Sequence, residues 1–332
     1  MNGAKIRWGI LGCGRIARKF ATDLRLVADA ELTAIASRNK ETLELFAKDF
    51  PCKHLHNSYE ALAANNEVDV IYVATPHSQH YEHSLLCLNH HKAVLCEKAF
   101  AINSRQAKEM IQTAKDKKVF LMEALWTKFL PHYKKLQELL QQKILGDIKS
   151  VLVNFGFNTA GNPSQRLFDP LLGGGTLLDI GIYNVFMTMS ILGMPDEIEA
   201  TMTPAATGVD EQIAVLFKYK SGAMAQLFSS FVTNLPTQAE INGTEGSITL
   251  TTRFYEPSTT IQLSKKLPYE RAIISVDKEP GFGYHYEARH VNECLKKGLI
   301  ESPVMTHADT LTLMEILDAI RMKAGIKYPV DL

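Results

Sequence analysis

The chain has 332 residues, 46% of them hydrophobic, which is enough for two cores, since a single core stops growing at about 250 residues. Its 36 Lys and Arg offset 36 Asp and Glu, so no basic surplus exists to hold nucleic acid or an anionic membrane, and a small-molecule partner is expected. Five scattered cysteines, Cys13, Cys52, Cys87, Cys96 and Cys294, form no Cys-x-x-Cys pair, which argues against a disulfide framework or a zinc knuckle.

Residues 5–11 are a short apolar run of the kind a buried parallel strand needs, and Ile16 and Ala17 begin a helical pattern that runs to residue 28. Between them Gly12 permits a tight turn, Gly14 lets the backbone approach phosphate oxygens, and Ala17 is small enough for helix to pack near strand. The helix N-terminus offers unpaired N–H groups and a partial positive charge. Gly12, Gly14, Arg15 and Ile16 are therefore the expected seat of a dinucleotide pyrophosphate. A strand at 31–36, a helix at 40–49, a turn at Pro51, a strand at 70–74, a helix at 78–89, a strand at 93–96, a helix at 104–117 and a strand at 120–123 follow. This alternation predicts a doubly wound α/β domain over 1–124, with a parallel sheet that binds ligands at its carboxyl edge. No apolar run reaches the ~18 residues of a membrane span. The first strand starts at once, so no membrane partner and a cytoplasmic location are expected.

Several strand ends carry distinctive residues. The second ends in Ser37-Arg38-Asn39, where a carboxylate would normally hold the ribose 2′-hydroxyl. A guanidinium with a serine beside it suits a 2′-phosphate through bidentate, charge-assisted bonds, which points to NADP and leaves NAD possible. A solvent-facing arginine is the plain alternative. The next strand ends in Thr75-Pro76-His77 with His80 a turn later, and Pro76 forces an extended path that suits a nicotinamide ribose. His77, His80 and His83 drift around a helix with no carboxylate or cysteine to complete a set, so no metal is expected there; they are read as structural or cofactor-neighbouring, with His80 the expected cofactor contact beside Thr75 and Pro76. Glu97 and Lys98 stand at the mouth of an apolar strand, where charges are paired or working, which makes Lys98 the first catalytic candidate.

Beyond 125 the pattern changes to a helix at 133–142 and strand-like stretches at 149–158, 198–202, 211–219, 223–233, 239–242 and 247–252, joined in part by hairpin-like turns. An α+β second domain over 125–332 with a large, mostly antiparallel, open-faced sheet is expected, its last helices free to pack back on the first domain. Apolar residues on both alternations of 211–219 and 223–232 predict that a second subunit covers one face. Gly173, Gly174 and Gly175 would let the chain pass close to a ligand, Thr176 can cap the helix that follows, and Asp179 and Tyr183 fall on one helical face. Asp179 as a dipole partner and Tyr183 as an amphipathic core residue are the alternatives.

Together, Arg7-Trp8-Gly9-Ile10, Val94-Leu95-Cys96-Glu97-Lys98, Leu121-Met122-Glu123-Ala124-Leu125-Trp126-Thr127, Leu178-Asp179-Ile180-Gly181-Ile182-Tyr183 and Tyr286-Glu287-Ala288-Arg289-His290-Val291 resemble the glucose-fructose oxidoreductase and inositol dehydrogenase (Gfo/Idh/MocA) family. The resemblance covers nearly the whole chain. The family usually has proline where this chain has Ala99, and Tyr183 stands where many members have histidine and the dimeric dihydrodiol dehydrogenases have tyrosine.

That resemblance implies a Rossmann domain, a homodimer formed through the open sheet, Glu97 and Lys98 beside the cofactor, and Lys98, Asp179 and Tyr183 at the reacting centre. The implied reaction moves a hydride between NADP and a secondary alcohol or hemiacetal of a sugar, polyol or trans-dihydrodiol. Another aldose or inositol dehydrogenase or reductase, and a cofactor-binding sensor without chemistry, are the alternatives. Two proton routes stay open: Tyr183 as acid and base with Lys98 lowering its pKa, or Lys98 as the direct acceptor. Trp126 and Phe155 fall where dihydrodiol dehydrogenases have aromatics, and Phe254, Tyr255 and Phe282 lie near corresponding loops, so Trp126, Phe155, Phe254 and Phe282 are the expected pocket walls.

Overall fold

The computed structural model describes residues 5–159, 165–265 and 269–331. They form two compact units, Met1–Lys128 with Glu279–Leu311, and Phe129–Lys278 with Thr312–Leu332. Residues 125–128 and 279–311 group with the first unit, the latter as helices that return to the first domain late in the chain.

The first unit contains β1 (Ile6–Leu11), α1 (Arg15–Leu24), β2 (Ala30–Ala36), α2 (Lys40–Asp49), β3 (His54–His56), α3 (Tyr59–Ala63), β4 (Val70–Val73), α4 (His80–Asn89), β5 (Ala93–Glu97), α5 (Ser104–Lys117) and β6 (Leu121–Ala124). Its sheet has the order β3-β2-β1-β4-β5-β6 and every pairing is parallel. All residues of β4, β5 and β6 are buried, as expected of strands covered on both faces, with Glu97 and Glu123 the carboxyls among them. Helix starts follow local chemistry: the side chains of Asn39, Ser58 and Asn103 accept the N–H of Thr42, Ala61 and Gln106 at the heads of α2, α3 and α5. α1 ends at Leu24 rather than 28, because Leu26 and Val27 turn back to the carbonyls of Asp23 and Leu24.

The second unit supplies α6 (Pro131–Gln141), β7 (Ile148–Gly156), α7 (Gln165–Phe168), α8 (Ile182–Leu192), β8 (Glu197–Pro204), β9 (Asp210–Lys218), β10 (Met224–Ser230), β11 (Ala239–Gly243), β12 (Gly246–Leu250), β13 (Ile261–Lys265) and β14 (Glu270–Ile274). The order is β14-β13-β12-β11-β7-β10-β9-β8, antiparallel apart from the β7·β10 pair. α8 packs on β7 and β10, and Asn184 donates to the Phe228 carbonyl and the Ser229 hydroxyl at 3.0 Å each. Val151, Val153, Ala225 and Leu227 are buried on one face of the sheet, while Leu152 and Met224 on the other are exposed.

One stretch, Pro170–Leu192, is long and apolar enough to cross a membrane by length and composition, contrary to the expectation from sequence. Most of it is buried inside the protein, as a core helix flanked by sheet should be.

Two further helices close the chain. α9 (Tyr284–Lys296) belongs to the first unit, and α10 (His307–Ala324) starts there and ends in the second. Asp23 of α1 explains the grouping of α9: its fully buried carboxylate accepts the N–H of Phe282, Gly283 and Tyr284 at 2.7–2.9 Å, taking up orphan donors at the head of α9. Trp8 of β1 donates to Asn292 at 3.0 Å from the same helix.

Candidate functional site: a dinucleotide crevice and an aromatic cluster

In the first unit β1 and β4 are neighbours although three elements of chain separate β2 from β4, so their carboxyl ends form the switch point where open α/β sheets bind ligands. Gly12 leaves β1 at φ +98, and a Cβ there would lie 2.9 Å from the Ala74 carbonyl oxygen. Only glycine satisfies both conditions. Gly14 is the extended N-cap of α1, has no side chain to satisfy the first turn, and has open space where its Cβ would be. The N–H groups of the α1 first turn at Arg15 and Ile16 therefore head an open cradle, unlike those of α2, α3 and α5. This arrangement fits a pyrophosphate.

Arg38, at the end of β2, is exposed. Its guanidinium carbon stands 5.3 Å from the centre of the Tyr59 ring, and it donates to Gln79 at 3.4 Å. Ser37 is buried and its hydroxyl oxygen accepts the Asn39 N–H at 3.2 Å, leaving the hydroxyl proton to donate. Pro76 is extended, at φ −60 and ψ 152. The Thr75 hydroxyl contacts His83 Nδ1 at 3.0 Å, and burial, reinforced by the charges of Arg38 and His80, pushes the His83 imidazole down to about 4.

His80 needs correction as a cofactor contact. It has no exposed surface, and its ring nitrogens face the carbonyls of Ala99 at 2.7 Å and Thr75 at 2.8 Å. It braces the loop that carries Lys98 against the end of β4. Glu97 is likewise buried: the Tyr72 hydroxyl donates to one carboxylate oxygen and the Lys98 N–H to the other at 3.2 Å. Lys98 itself is partly exposed, and its peptide with Ala99 is cis. Behind them, burial pushes the Glu123 carboxyl up to about 7, and burial with the charges of Glu97 and Asp23 pushes Glu287 well above the usual range.

Trp126 is buried and stacks on Tyr284, ring centres 4.4 Å apart and 10° from coplanar, so one of its faces is taken. Phe282 is 44% exposed beside α1, with the Lys19 ammonium 5.3 Å over its ring.

In the second unit, the glycine run serves the fold rather than a ligand. A Cβ on Gly174 would meet the Leu167 carbonyl oxygen at 2.7 Å, and one on Gly175, at φ +110, would meet Asp210 at 2.2 Å. Thr176 does not cap: it is already helical and donates to Asp210 at 2.5 Å, and the same carboxylate oxygen accepts the Leu177 N–H at 2.7 Å. A carboxylate from β9, not the local threonine, satisfies this helix start, and burial pushes it up to about 6. Residues Leu177–Gly181 then form a π-helical turn before α8, a feature frequent at functional sites. Asp179 lies in that turn and pairs with Arg166 at 3.0 Å. Tyr183 lies just beyond it, buried.

Around Tyr183 the chain gathers an aromatic cluster. Phe155 at the end of β7 stacks on Tyr255 at 4.4 Å, and Tyr183 lies 4.8 Å from Tyr255 and 6.1 Å from Phe155, centre to centre. Phe254 is fully buried beneath Phe155 and Tyr255 and offers no wall. Tyr255 beside it is only half-buried and is the more accessible of the two rings.

The crevice and the Rossmann sheet define an NAD(P)-binding oxidoreductase. Residues 6–125 match the oxidoreductase family with an NAD-binding Rossmann fold and residues 133–249 the Gfo/Idh/MocA C-terminal domain, and the chain belongs to this family. It is similar to a trans-1,2-dihydrobenzene-1,2-diol dehydrogenase of Xenopus tropicalis, 38% identical over 97% of this chain and 99% of the relative. The Homo sapiens protein of that name is 35% identical over 98% and 99%. A 3-ketoreductase from Actinomadura kijaniata, crystallised with NADP and TDP-benzene, superposes with a TM-score of 0.86 at 25% identity, over 96% and 98% of the two chains.

Proposed function

We propose that this chain is an NADP-dependent dehydrogenase of a secondary alcohol or hemiacetal in a sugar, polyol or trans-dihydrodiol. The observation that carries the reading is the glycine-built anion cradle at the β1·β4 switch point, with a guanidinium and no carboxylate at the end of β2. The dihydrodiol dehydrogenase names of its relatives and the NADP of the Actinomadura structure support it.

Gly12, Gly14, Arg15 and Ile16 would hold the pyrophosphate, Ser37 and Arg38 the 2′-phosphate, and Thr75 and Pro76 the ribose beyond. When bound, the cofactor would supply the hydride acceptor in oxidation and the hydride donor in reduction. A phenol near pKa 10 is a poor base at neutral pH, and an ammonium beside it favours its ionised form. Tyr183 takes the hydroxyl proton in oxidation and returns it in reduction, with Lys98 holding the oxygen and lowering the phenol pKa. Asp179, held by Arg166, orients a neighbouring substrate hydroxyl. Phe155 and Tyr255 supply flat apolar surface for the carbon face of a pyranose or cyclohexadiene diol. The exposed Leu152 and Met224 on the open face of the second sheet serve a homodimer.

The test follows nicotinamide absorbance with NADP or NAD against a panel of aldoses, inositols and trans-dihydrodiols. Turnover with NADP is expected. In Tyr183→Phe and Lys98→Met, kcat should fall by about 10²–10⁴-fold. An unchanged rate–pH profile in Tyr183→Phe removes the tyrosine from the mechanism, and cofactor binding without turnover on any substrate overturns the dehydrogenase reading.

A further inference from the structure

We propose that Tyr59 is a positioning residue for cofactor choice: its ring holds the Arg38 guanidinium ready for a 2′-phosphate, so this chain's selectivity for NADP over NAD depends on α3 as well as on the arginine. The proposal rests on the reading of Arg38 given above.

Arg38 has the problem of every long exposed cation at a binding edge, because fixing its rotamers on ligand capture costs much of what the phosphate contact returns. Here the guanidinium lies over the Tyr59 ring, 5.3 Å from its centre, and reaches Gln79 at 3.4 Å. A ring below and an amide at the side hold a planar fork while leaving other N–H groups to donate.

Tyr59 is itself fixed. Only 8% of it is exposed, and it is the first residue of α3, whose cap Ser58 accepts the Ala61 N–H at 3.1 Å. Its ring meets the His83 ring edge-on at 4.6 Å and 72°. His83 in turn contacts the Thr75 hydroxyl at 3.0 Å. A continuous column, Thr75, His83, Tyr59, Arg38, thus runs from the end of β4 to the end of β2. Burial raises the Tyr59 phenol above its ordinary value against the charge of Arg38 and a hydrogen bond with it, so the ring stays neutral beneath the guanidinium, and the lowered His83 adds no competing cation.

Isothermal titration would measure Kd for NADP, NAD, 2′,5′-ADP and 5′-AMP with the full chain and with Tyr59→Leu, Tyr59→Phe and Arg38→Ala. Tyr59→Leu should weaken NADP and 2′,5′-ADP by about tenfold and leave NAD and 5′-AMP within about twofold, whereas Tyr59→Phe, which keeps the ring, should retain most of the affinity. Adding Arg38→Ala to Tyr59→Leu should cost less than Arg38→Ala alone. If Tyr59→Leu does not fold, Tyr59→Met carries the same expectation. Equal weakening of NADP and NAD, or no change in either, overturns the role of Tyr59. Arg38→Ala with undiminished NADP preference overturns instead the 2′-phosphate reading on which it rests.

Discussion

The crevice of the first unit is built mostly from backbone, and the cluster of the second from side chains. At the β1·β4 switch point the decisive features are a φ of +98 at Gly12, an open N-cap at Gly14 and the N–H groups of α1. Around Tyr183 they are rings contributed by β7, α8 and the connection after β12. The difference matches the tasks. A pyrophosphate is the same in every dinucleotide, so fixed N–H donors suffice, whereas substrates differ in their carbon skeletons and are sorted by the shape of apolar walls.

Substitutions that touch one kind of construction and spare the other sharpen the contrast. The largest effect is expected for Gly12→Ala. A positive φ costs an alanine about 1–2 kcal/mol, the collision with the Ala74 carbonyl adds to it, and Kd for either dinucleotide should rise at least ~100-fold in titration calorimetry. Gly14→Ala, with open space for its Cβ, should weaken the cofactor while leaving the melting temperature unchanged. If it destabilises the protein as much as Gly12→Ala does, the cradle is structural.

Next comes Asp23→Ala, which removes the acceptor for three N–H groups without touching either site. A loss of about 3 kcal/mol is expected in chemical denaturation. Burial alone would raise this carboxyl, but the bonds from His285, Phe282, Tyr284 and Gly283 outweigh it and hold it below its ordinary value of 3.8. A carboxyl lowered in the folded state adds stability above the unfolded value and loses it as the pH falls through the folded one. The gap between wild type and Asp23→Ala should therefore be full at neutral pH and close below pH 3.8. A gap that stays constant down to pH 2 would assign it to packing alone.

The smallest effect is expected for Tyr255→Leu. Losing the stack on Phe155 and the contact with Tyr183 should raise substrate KM by about fivefold, near 1 kcal/mol, with dinucleotide Kd unchanged. A change in dinucleotide affinity instead would dissolve the division between the two constructions.

Local signals were readable where one stretch of chain carries them whole. The spans 40–49 and 104–117 agree with α2 and α5 because each begins at an asparagine cap. β3 and α3, of three and five residues, are too short for any period to show, and Tyr59 within them carries no signal of its own. The Gly173-Gly174-Gly175 run looked like a ligand loop, yet its need for glycine comes from Leu167 and from Asp210 on another strand. Phe254 and Tyr255 are adjacent, and only the packing of the connection shows which is buried.

From its residues alone, this chain determined a parallel nucleotide-binding sheet, the glycine cradle and a second, mostly antiparallel sheet, because strand alternation, helix caps and a positive-φ turn are set by neighbours in sequence. Tertiary structure decided that His80 braces a loop, that Asp210 caps the helix start at Leu177, that Asp23 ties α9 to α1 and that Tyr59 lies under Arg38. Each of these pairs a polar or aromatic group with a partner 19 or more residues away in sequence. Burial makes such partners obligatory without naming them, and only the folded chain supplies the name.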